Sequence, residues 1–264
     1  MAHAGKAGRP NAGETAARAL DCAPVPTAPA TAHTPPADSA RHAARAVSGA
    51  VAVITLDALL LGLALGGPRA LLAHPRALAL LGVWGAGGIV LALLRPVRTH
   101  APVELERESK ASLIALLVVP VVAPAVSALG ERLGLFPWFA RAPIEWAGVA
   151  LVAAGLGVRI GAMARLGSRF SPLVTVQESH ALETGGIYST IRHPGYLGAL
   201  LACLGGMLAF GSALSLPLVL SFAGLLGARM DREERLLERH FGDDYTRYRR
   251  RTGRLLPRPW GTRG

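Results

Sequence analysis

The sequence predicts an all-α fold, a polytopic transmembrane helical bundle of about six spans, in which the last two spans form a short helical hairpin. Hydrophobic residues make up 51% and charged residues 17% of its 264 residues. The apolar residues occur in long runs rather than in an amphipathic pattern, and a helix needs about 20 apolar residues to cross a bilayer. The basic residues are divided unevenly among the segments that join these runs.

Residues 1–45 predict a disordered cytoplasmic leader, because they are rich in alanine, proline, glycine and threonine. They contain no apolar run long enough for a secretory signal peptide, so the first span is expected to direct insertion. A transit peptide and a misplaced start site are the alternatives. Residues 46–140 predict N-terminal transmembrane helices, and residues 141–258 a membrane core with a cytoplasmic C-terminal segment.

Four apolar runs predict single spans, at residues 47–66, 77–94, 111–129 and 143–164. The next apolar stretch, 195–228, is too long for one span at about 1.5 Å per residue. Phe210-Gly211-Ser212, followed by Pro217, offers a break. The stretch therefore predicts a tight hairpin of two short helices.

The formal net charge of +11 would indicate a nucleic-acid partner in a soluble protein, but in a membrane protein the basic residues report orientation. If the N-terminus is cytoplasmic, the outside loops carry only four arginines: Arg69, Arg76, Arg132 and Arg141. This asymmetry favours both termini inside, which requires an even number of spans. We expect a multi-pass protein of the bacterial inner membrane that contacts membrane lipids and no nucleic acid.

Cysteine usage indicates neither a disulfide framework nor a metal site. Cys22 lies in the leader and Cys203 in a predicted span, and the sequence has no CxxC or Cys/His cluster. Cys203 is expected to be a small buried apolar residue.

Two other segments have a simple structural interpretation. Residues 96–110 mix acidic and basic side chains, which predicts a polar loop or a short interfacial amphipathic helix. Small residues recur at roughly helical spacing in the fourth span, at Gly148, Gly155, Gly157 and Gly161. They would let another helix approach closely, and a smooth wall for a ligand is the second possibility.

The segment 187–198, IYSTIRHPGYLG, places four polar side chains between two apolar stretches: Tyr188, Arg192, His193 and Tyr196. Polar groups beside hydrocarbon are expected to cap a helix, anchor at the interface or line a polar cavity. Pro194 suits the first turn of a helix. The free N–H groups of that helix start, together with Arg192 and His193, would bind an anion such as a carboxylate.

A hairpin returns the chain to the side from which it started, so the residues after its second helix are expected beside this segment. They include Arg229, Glu233 and Glu234. A basic cluster and an acidic cluster on one pocket would hold a zwitterion, with its carboxylate toward Arg192 and His193 and its ammonium toward Glu233. A methionine-derived cofactor has these two groups.

Each of these residues also has a simpler explanation. The arginine and histidine would follow the positive-inside rule, by which basic residues lie on the cytoplasmic side. The tyrosines would be aromatic anchors at the membrane interface. Glu233 and Glu234 would form a solvated helix face paired with nearby arginines. The combination, rather than any single residue, favours a binding site.

These motifs resemble the isoprenylcysteine carboxyl methyltransferase family and, more distantly, the phospholipid N-methyltransferases. The resemblance covers roughly residues 148–257 and includes LGSRFSP, His180-Ala181-Leu182, GGIYSTIRHPGYLG, REERLLERHFGDDYTRYRRR and the closing RLLP. Several spaced motifs in one order are more specific than one short match. The resemblance implies an all-helical membrane enzyme that uses S-adenosylmethionine to methylate a lipophilic acceptor reaching the site from the bilayer.

Position by position, the resemblance implies a set of cofactor-binding residues: His180, Ala181, Leu182, Glu183, Tyr188, Arg192, His193, Pro194, Gly195, Tyr196 and Glu233. Glu183 departs from the valine usual in the family, which a contact through the backbone would tolerate. Arg229 matches the family arginine that faces the acceptor. The predicted catalytic residues are Arg229 and Glu234.

Methyl transfer is an in-line displacement, so catalysis is expected to come chiefly from holding the nucleophile and the methyl group in line. Arg229 would orient an acceptor carboxylate through paired N–H donors. An amine acceptor would need a base, for which Glu233 and Glu234 are the candidates. Carboxyl O-methylation of an isoprenoid-like or lipid substrate is the leading expectation. The arginine-rich segment 241–251 is expected to fold over the site or to lie on anionic headgroups.

Two other functions stay open. A membrane reductase of the sterol-reductase type, which uses NADPH, has a similar carboxyl-terminal helical core, and membrane reductases need no GxGxxG motif. A non-catalytic membrane protein on the same fold would bind neither cofactor. Binding of S-adenosylmethionine or of NADPH distinguishes the three.

Overall fold

A computed structural model describes residues 36–94, 102–105, 110–167, 175–177 and 182–258. Its helices are α1 (Pro36–Leu65), α2 (Pro68–Leu72), α3 (Pro75–Leu93), α4 (Lys110–Leu133), α5 (Ala142–Leu166), α6 (Pro194–Leu208), α7 (Leu216–Phe241) and α8 (Asp243–Arg251). Short 3₁₀ turns at Gly186–Ser189 and Ala213–Ser215 precede α6 and α7. The predicted leader lies mostly outside the described residues. Its end, 36–45, begins α1, because proline suits a first turn and alanine and arginine favour helix.

Five helical segments are long and apolar enough to cross a membrane: Val47–Leu65, Pro75–Leu93, Ser112–Leu133, Ala142–Leu166 and Ala213–Phe241. They confirm the predicted helical bundle, and the first four coincide with the four predicted single spans. Large apolar side chains such as Leu59 and Leu63 are 58% and 65% exposed on the outside of the bundle. Contact with hydrocarbon explains this exposure, and the chain is a multi-pass integral membrane protein.

The predicted hairpin is present, but its two arms differ in length. α6 has 15 residues, whereas α7 has 26 and continues to Phe241, so the expectation of two short helices is wrong for the second. α7 continues because its apolar run passes into an amphipathic pattern that still packs one face. The break lies where it was predicted: Gly211 has a φ of 64°, and the Ser212 hydroxyl accepts a hydrogen bond from the N–H of Leu214.

The polar segment between α3 and α4 pairs with the segment that follows α5. β1 (Pro102–Leu105) and β2 (Thr175–Gln177) are antiparallel, with Pro102 opposite Gln177. At residues 102–105 the structure therefore has a short strand where a polar loop or amphipathic helix was expected, and most of the rest of that segment lies outside the described residues. The alternation of Val103, Glu104 and Leu105 is the pattern that favours an extended chain.

α5 and α6 pack against each other through two pairs of glycines. A Cβ added to Gly148 would lie 2.8 Å from the carbonyl oxygen of Gly205, and one added to Gly155 would lie 2.5 Å from that of Gly198. No side chain fits at either crossing, so the predicted close helix approach occurs at these glycines. Open space surrounds the other two glycines of the series: Gly157 and Gly161.

Two apolar clusters form the core. One joins α1, α3, α4, α5 and α6 around Leu80, Val152 and Phe210, and the other joins α4, α6 and α7 around Cys203 and Phe222. Cys203 is fully buried, as expected of a small apolar residue.

A network of charged residues joins α3, α4 and α5 at the end of the bundle where α3 and α5 begin. Arg76 of α3 pairs with Glu145 of α5, and its Nη2 lies 2.5 Å from Oε1 of Glu131 in α4. The ring of His74, which caps α3, lies 3.3 Å from Glu131. Buried charges persist only when they are paired, so this network fixes the three helices at one end. The cavity described next lies at the other end.

Candidate functional site

A cavity of about 520 Å³ opens at the end of the bundle where α5 ends and α6 begins. Its apolar lining comes from α3 to α7, and the α3 and α4 part consists of Trp84, Leu91, Leu113, Leu116, Leu117 and Pro120. Its polar lining comes from α5, α6, α7, α8 and the segment before α6: Arg159, Glu183, Tyr188, Arg192, His193, Tyr196, Arg229, Glu233, Tyr245 and Tyr248. A site lined in this way suits a ligand with one polar and one apolar part.

The backbone at the start of α6 is already hydrogen-bonded. The N–H groups of Tyr196 and Leu197 donate to the carbonyl of His193, each over 3.1 Å. The N–H of His193 itself donates to the carbonyl of Arg254. These three N–H groups are therefore not free to bind an anion, which limits the anion site expected at the helix start.

Tyr196 connects the two motifs that the sequence predicted to be neighbours. Its hydroxyl accepts a hydrogen bond of 3.0 Å from Nε of Arg229 and donates one of 2.7 Å to Oε2 of Glu233. Arg229 and Glu233 lie one turn apart on α7, so one face of that helix presents a cation and a carboxylate on either side of the tyrosine. The hairpin thus brings both motifs to the cavity.

Glu234 lies behind this arrangement rather than in the cavity lining. Its Oε1 is 3.0 Å from Nε2 of His193 and accepts a hydrogen bond of 3.1 Å from Nε of Arg192. Nε of Arg254 lies 3.5 Å from the same oxygen. A carboxylate held by these groups fixes the His193 ring, which stacks on Tyr196 with 5.5 Å between centroids.

The polar network lies closer to the hairpin turn than the thickness of a hydrocarbon core. α6 is about 22 Å long at 1.5 Å per residue, which is short of a hydrocarbon core of about 30 Å. Arg229 lies 13 residues after Leu216, or about 20 Å along α7, level with the start of α6. A polar network at this depth is costly unless it is satisfied internally or by a ligand.

The C-terminal segment supports residues that line the cavity. The N–H of Arg192 donates to the carbonyl of Gly253 over 2.8 Å, and the N–H of Gly253 donates to that of Thr190 over 3.0 Å. Nη1 of Arg192 donates to the carbonyls of Arg249 and Thr252. The segment before α6 is therefore held from both sides, by α7 and by the residues that follow α8.

α8 turns two tyrosines toward the cavity. Tyr245 is 1% and Tyr248 is 4% exposed. The Tyr248 hydroxyl donates a hydrogen bond of 2.7 Å to the carbonyl of Tyr188. The Tyr245 hydroxyl is buried and has no hydrogen-bond partner among the described residues. A buried polar group of this kind calls for a ligand or a water molecule.

Burial also changes the acidity of the tyrosines outside the spans. It raises the pKa of Tyr248 to about 12, against the lowering effect of Arg192. Burial, with a contribution from the negative charge of Glu233, raises the pKa of Tyr188, and burial raises that of Tyr245. These hydroxyls are neutral donors and acceptors over the physiological pH range.

Two further side chains position the loop before α6. Nη1 of Arg159 donates to the carbonyl of Gly195 over 2.9 Å. Oε1 of Glu183 accepts hydrogen bonds from the N–H of Gly185 over 2.9 Å and from Nε of Arg165 over 3.2 Å. The side chain at the position that departs from the family pattern thus shapes the turn, in addition to any contact made by its backbone.

Most of the predicted site residues line this cavity: Leu182, Glu183, Tyr188, Arg192, His193, Pro194, Gly195, Tyr196, Arg229 and Glu233. His180 and Ala181 lie outside the described residues. Glu234 does not line the cavity, because the groups named above hold its carboxylate behind His193.

Sequence reasoning did not include three groups of cavity residues in the predicted site, although it expected the segment 241–251, which contains Tyr245 and Tyr248, to fold over the site or to lie on anionic headgroups. Arg159 was counted only as a positive charge that reports orientation, although an arginine inside a helical span is itself a signal of a polar site. Tyr245 and Tyr248 are three residues apart, which places them on one helix face, but nothing in that spacing shows which face is buried. The apolar wall from α3 and α4 depends on tertiary packing alone.

Comparison with known proteins agrees with the predicted resemblance. The family model described as "Phospholipid methyltransferase" matches residues 144–244. A protein-S-isoprenylcysteine O-methyltransferase of Schizosaccharomyces pombe is 34% identical over 106 residues, which is 39% of this chain and 45% of that protein. The enzyme of that name from Homo sapiens is 29% identical over 126 residues, covering 46% of this chain and 44% of its own length.

A probable enzyme of the same name from Oryza sativa subsp. indica is 29% identical over 131 residues, covering 47% of this chain and 66% of that protein. A solved structure described as the eukaryotic intramembrane Ras methyltransferase ICMT aligns with a TM-score of 0.44 and 20% identity, over 68% of this chain and 67% of that one.

The chain spans about half the length of the curated relatives it matches. The matched part contains α5, the hairpin and the start of α8, which carry most of the polar lining of the cavity. The carboxyl-terminal half of the chain is thus similar to protein-S-isoprenylcysteine O-methyltransferases, in agreement with the resemblance of its motifs.

Proposed function

We propose that this chain is an integral membrane methyltransferase that binds S-adenosylmethionine and methylates a lipophilic acceptor, by carboxyl O-methylation of an isoprenoid-like or lipid substrate. The observation that carries the proposal is the meeting of Tyr196 and Glu233 at one cavity wall within the depth of the bilayer. The relatives named above, whose names describe O-methyltransferases, support the same reaction class.

The polar lining suits the charged groups of the donor. Glu233 supplies a carboxylate for its positive groups, and Arg159 and Arg192 supply N–H donors for its carboxylate. The unpartnered hydroxyl of Tyr245 adds a buried group that a ligand would satisfy. The proposed cofactor-binding set is Leu182, Glu183, Tyr188, Arg192, His193, Pro194, Gly195, Tyr196 and Glu233, with His180 and Ala181 carried over from the sequence prediction.

The apolar lining suits the acceptor. Leu113, Leu116 and Leu117 of α4 and Trp84 of α3 offer hydrocarbon-like walls next to the polar network. An acceptor with a long apolar chain would place its polar head beside Arg229, which lines the same cavity. The residues before the matched region would then contribute to acceptor binding rather than to donor binding.

When bound, S-adenosylmethionine would supply a sulfonium methyl group, whose carbon would bond to an acceptor carboxylate oxygen as the carbon–sulfur bond breaks and its electrons pass to sulfur. No proton is transferred, so the side chains need only bind and orient. Arg229, whose Nε is held by Tyr196, lines the cavity and would orient the acceptor carboxylate through its guanidinium group. The apolar walls exclude water, which would otherwise compete for these donors.

Glu234 is assigned a positioning role in place of the predicted catalytic one. Its carboxylate holds His193 and Arg192 from behind and does not line the cavity. It therefore fixes the ring on which Tyr196 stacks, and Tyr196 in turn orients Arg229 and Glu233. For an amine acceptor, Glu233 is the carboxylate placed to take a proton.

The proposal also includes the location and orientation of the chain. The arginine asymmetry between the two sides favours the bacterial inner membrane with both termini cytoplasmic. The polar end of the cavity then lies toward the cytoplasm, where S-adenosylmethionine is made, and the acceptor arrives from the bilayer.

Thermal unfolding of the detergent-purified protein tests donor binding. S-adenosylhomocysteine at about 100 times its Kd is expected to stabilise the protein by about 2.7 kcal/mol and to raise the Tm by about 5 °C or more. NADPH serves as the comparison ligand. Stabilisation by NADPH alone would favour the reductase, and stabilisation by neither would favour a non-catalytic protein.

Labelled S-adenosylmethionine with a total lipid extract tests the transfer. The purified protein is expected to label a lipophilic product that base hydrolysis releases, as an ester requires. Arg229→Ala and Glu233→Ala should abolish the labelling, whereas Arg69→Ala, at the other end of the bundle, should not. Equal labelling by all three variants would contradict the assigned site.

A further inference from the structure

α8 has two faces of opposite character. Tyr245 and Tyr248 are buried against the cavity, whereas Arg247, Arg249 and Arg250 are exposed. Acidic residues occupy only its first turn, and its last turn consists of three arginines. The outer face of the helix is therefore strongly positive at its C-terminal end.

A second, shallow groove of about 230 Å³ lies on this outer face. It is lined by Glu238 of α7, by Thr246, Arg249 and Arg250 of α8, and by Arg258. Three arginines against one glutamate leave the groove with two net positive charges. The pairing within it is weak: Nη1 of Arg249 lies 3.6 Å from Oε2 of Glu238.

The arginines of the groove keep donors for a ligand. Nη1 of Arg258 donates to the carbonyl of Arg250 over 2.7 Å, which fixes its guanidinium across the end of α8 without neutralising it. The side chain of Arg250 has no acidic partner in the described part of the chain. Guanidinium groups arranged in this way bind phosphate oxygens through paired N–H donors.

The groove lies at the level of the lipid headgroups. Glu238 follows Leu216 by 22 residues, which is about 33 Å along α7. The hydrocarbon core is about 30 Å thick, so this part of α7 has left it. Arg229, at about 20 Å along the same helix, is still within the thickness of the hydrocarbon core.

We propose that this groove binds the phosphate headgroup of an anionic phospholipid. The charge of the groove favours an anion, and its height places lipid phosphates beside it. The site is separate from the cavity but is joined to it by one residue, because the carbonyl of Arg249 accepts a hydrogen bond from Arg192. A headgroup held by Arg249 and Arg250 therefore also holds α8 and its tyrosines over the cavity.

Native mass spectrometry of the detergent-purified full chain tests the proposal, with phosphatidylglycerol and phosphatidylcholine of equal chain length as probes. Each arginine near an anionic lipid surface contributes about 1 kcal/mol, or about fivefold in affinity. Phosphatidylglycerol is expected to bind at least about tenfold more tightly than phosphatidylcholine. The double variant Arg250→Gln/Arg258→Gln should lose about tenfold or more of that affinity.

The matched control is Arg247→Gln/Arg251→Gln, which removes the same charge from the same segment outside the groove. This control variant should lose less than about threefold in affinity for phosphatidylglycerol, because only its general electrostatic attraction to the lipid is reduced. Arg250→Gln alone, which keeps the Arg258 hydrogen bond to the helix end, serves if the double variant does not fold. This single variant should lose about fivefold in affinity for phosphatidylglycerol.

Three results would overturn the proposal. An equal loss in the groove and control variants would mean diffuse charge attraction without a site. Equal binding of phosphatidylcholine would mean that the lipid charge is not recognised. Displacement of the lipid by millimolar inorganic phosphate would mean a site for the free anion rather than for a membrane headgroup. Because none of these measurements uses a methyl donor, they stand apart from the test of the proposed function.

Discussion

The hydroxyl of Tyr196 donates a hydrogen bond of 2.7 Å to Glu233, a residue that lies 37 positions further along the chain. The same hydroxyl accepts a hydrogen bond from Arg229, so one oxygen atom holds a cation and an anion on opposite sides. Removal of this single atom leaves both charged groups without their common partner.

Tyr196→Phe is therefore expected to weaken binding of S-adenosylhomocysteine about tenfold, because Arg229 and Glu233 lose their orientation and a buried hydrogen bond is lost. Phenylalanine keeps the ring that stacks on His193, so the loss of stability without ligand should be limited to that of the lost hydrogen bonds, about 1–3 kcal/mol. Isothermal titration calorimetry and thermal unfolding measure the two effects. Unchanged affinity would mean that the hydroxyl does not orient the binding groups.

The adjacent glutamates are expected to behave differently. Glu234→Gln should destabilise the protein by about 3 kcal/mol, because it leaves Arg192 buried without its carboxylate. Glu233→Gln, whose side chain is 33% exposed, should cost less stability but more ligand affinity. Measurements of the Tm and the Kd for both variants separate the structural role of Glu234 from the binding role of Glu233. A larger loss of affinity in Glu234→Gln and a larger loss of stability in Glu233→Gln would contradict this assignment.

Tyr245→Phe is expected to weaken ligand binding about three- to tenfold while the protein without ligand stays as stable or becomes more stable. The reason is that its hydroxyl is buried without a partner in the described residues. Tyr248→Phe is the matched control on the same helix. It removes a hydrogen bond to the carbonyl of Tyr188 and should lower the stability by about 1 kcal/mol. A stability loss from Tyr245→Phe with unchanged affinity would show a purely structural hydroxyl.

Alkaline titration of the tyrosine hydroxyls should report their burial in the cavity, because all four tyrosines of the sequence line it. Burial raises the pKa of Tyr248 to about 12, and an unfolded tyrosine titrates near 10. The folded state holds the proton more tightly, so this contribution to stability is complete below about pH 10 and is lost as the pH rises toward 12.

The tyrosinate absorbance is expected to lag behind that of the denatured chain and to rise together with loss of helicity. Circular dichroism recorded on the same samples is the control for folding. Tyrosinate absorbance that reaches its full value near pH 10 while the helices remain intact would contradict the buried placement of these side chains.

The close contact of α5 and α6 at their glycines predicts that alanine has opposite effects on stability at two nearby positions of α5. Gly155→Ala should destabilise the bundle by about 1–3 kcal/mol, because the new Cβ meets the backbone of Gly198 on α6. Gly157→Ala, on the same helix, meets nothing within 4 Å and should stabilise by about 0.5–1 kcal/mol, through the helix propensity alone. Unfolding midpoints in a common detergent compare the two, and equal effects would place the helix contact elsewhere.

The sequence predicted the spans and the meeting of the two polar motifs, because both follow from local rules. Length and hydropathy determine which segments cross the bilayer, and a hairpin returns Glu233 to the side on which Tyr196 lies. The length of α7 was missed, because its apolar run ends before the helix does. Only the packing of α8 and the loop before α6 shows that its amphipathic continuation still has a face to bury.

The sequence could not show that Glu233 lines the cavity whereas Glu234 holds His193 and Arg192, for a similar reason. Neighbouring residues on a helix point about 100° apart, so one faces the cavity and the other faces His193 and Arg192. The sequence does not reveal which is which. The same holds for the tyrosines of α8, whose orientation follows from the pairing of Gly253 with the segment before α6.

That pairing has a consequence for biogenesis. Residues 252–254 leave the ribosome after the five membrane-crossing segments found among the described residues, yet they hold the backbone of Arg192 and His193 in place. A nascent chain that has already been inserted into the membrane thus has an unfinished pocket until synthesis passes Arg254. Maturation of the pocket is consequently a post-insertion event, and a nonsense mutation just before this point would leave a protein that is integrated but not assembled.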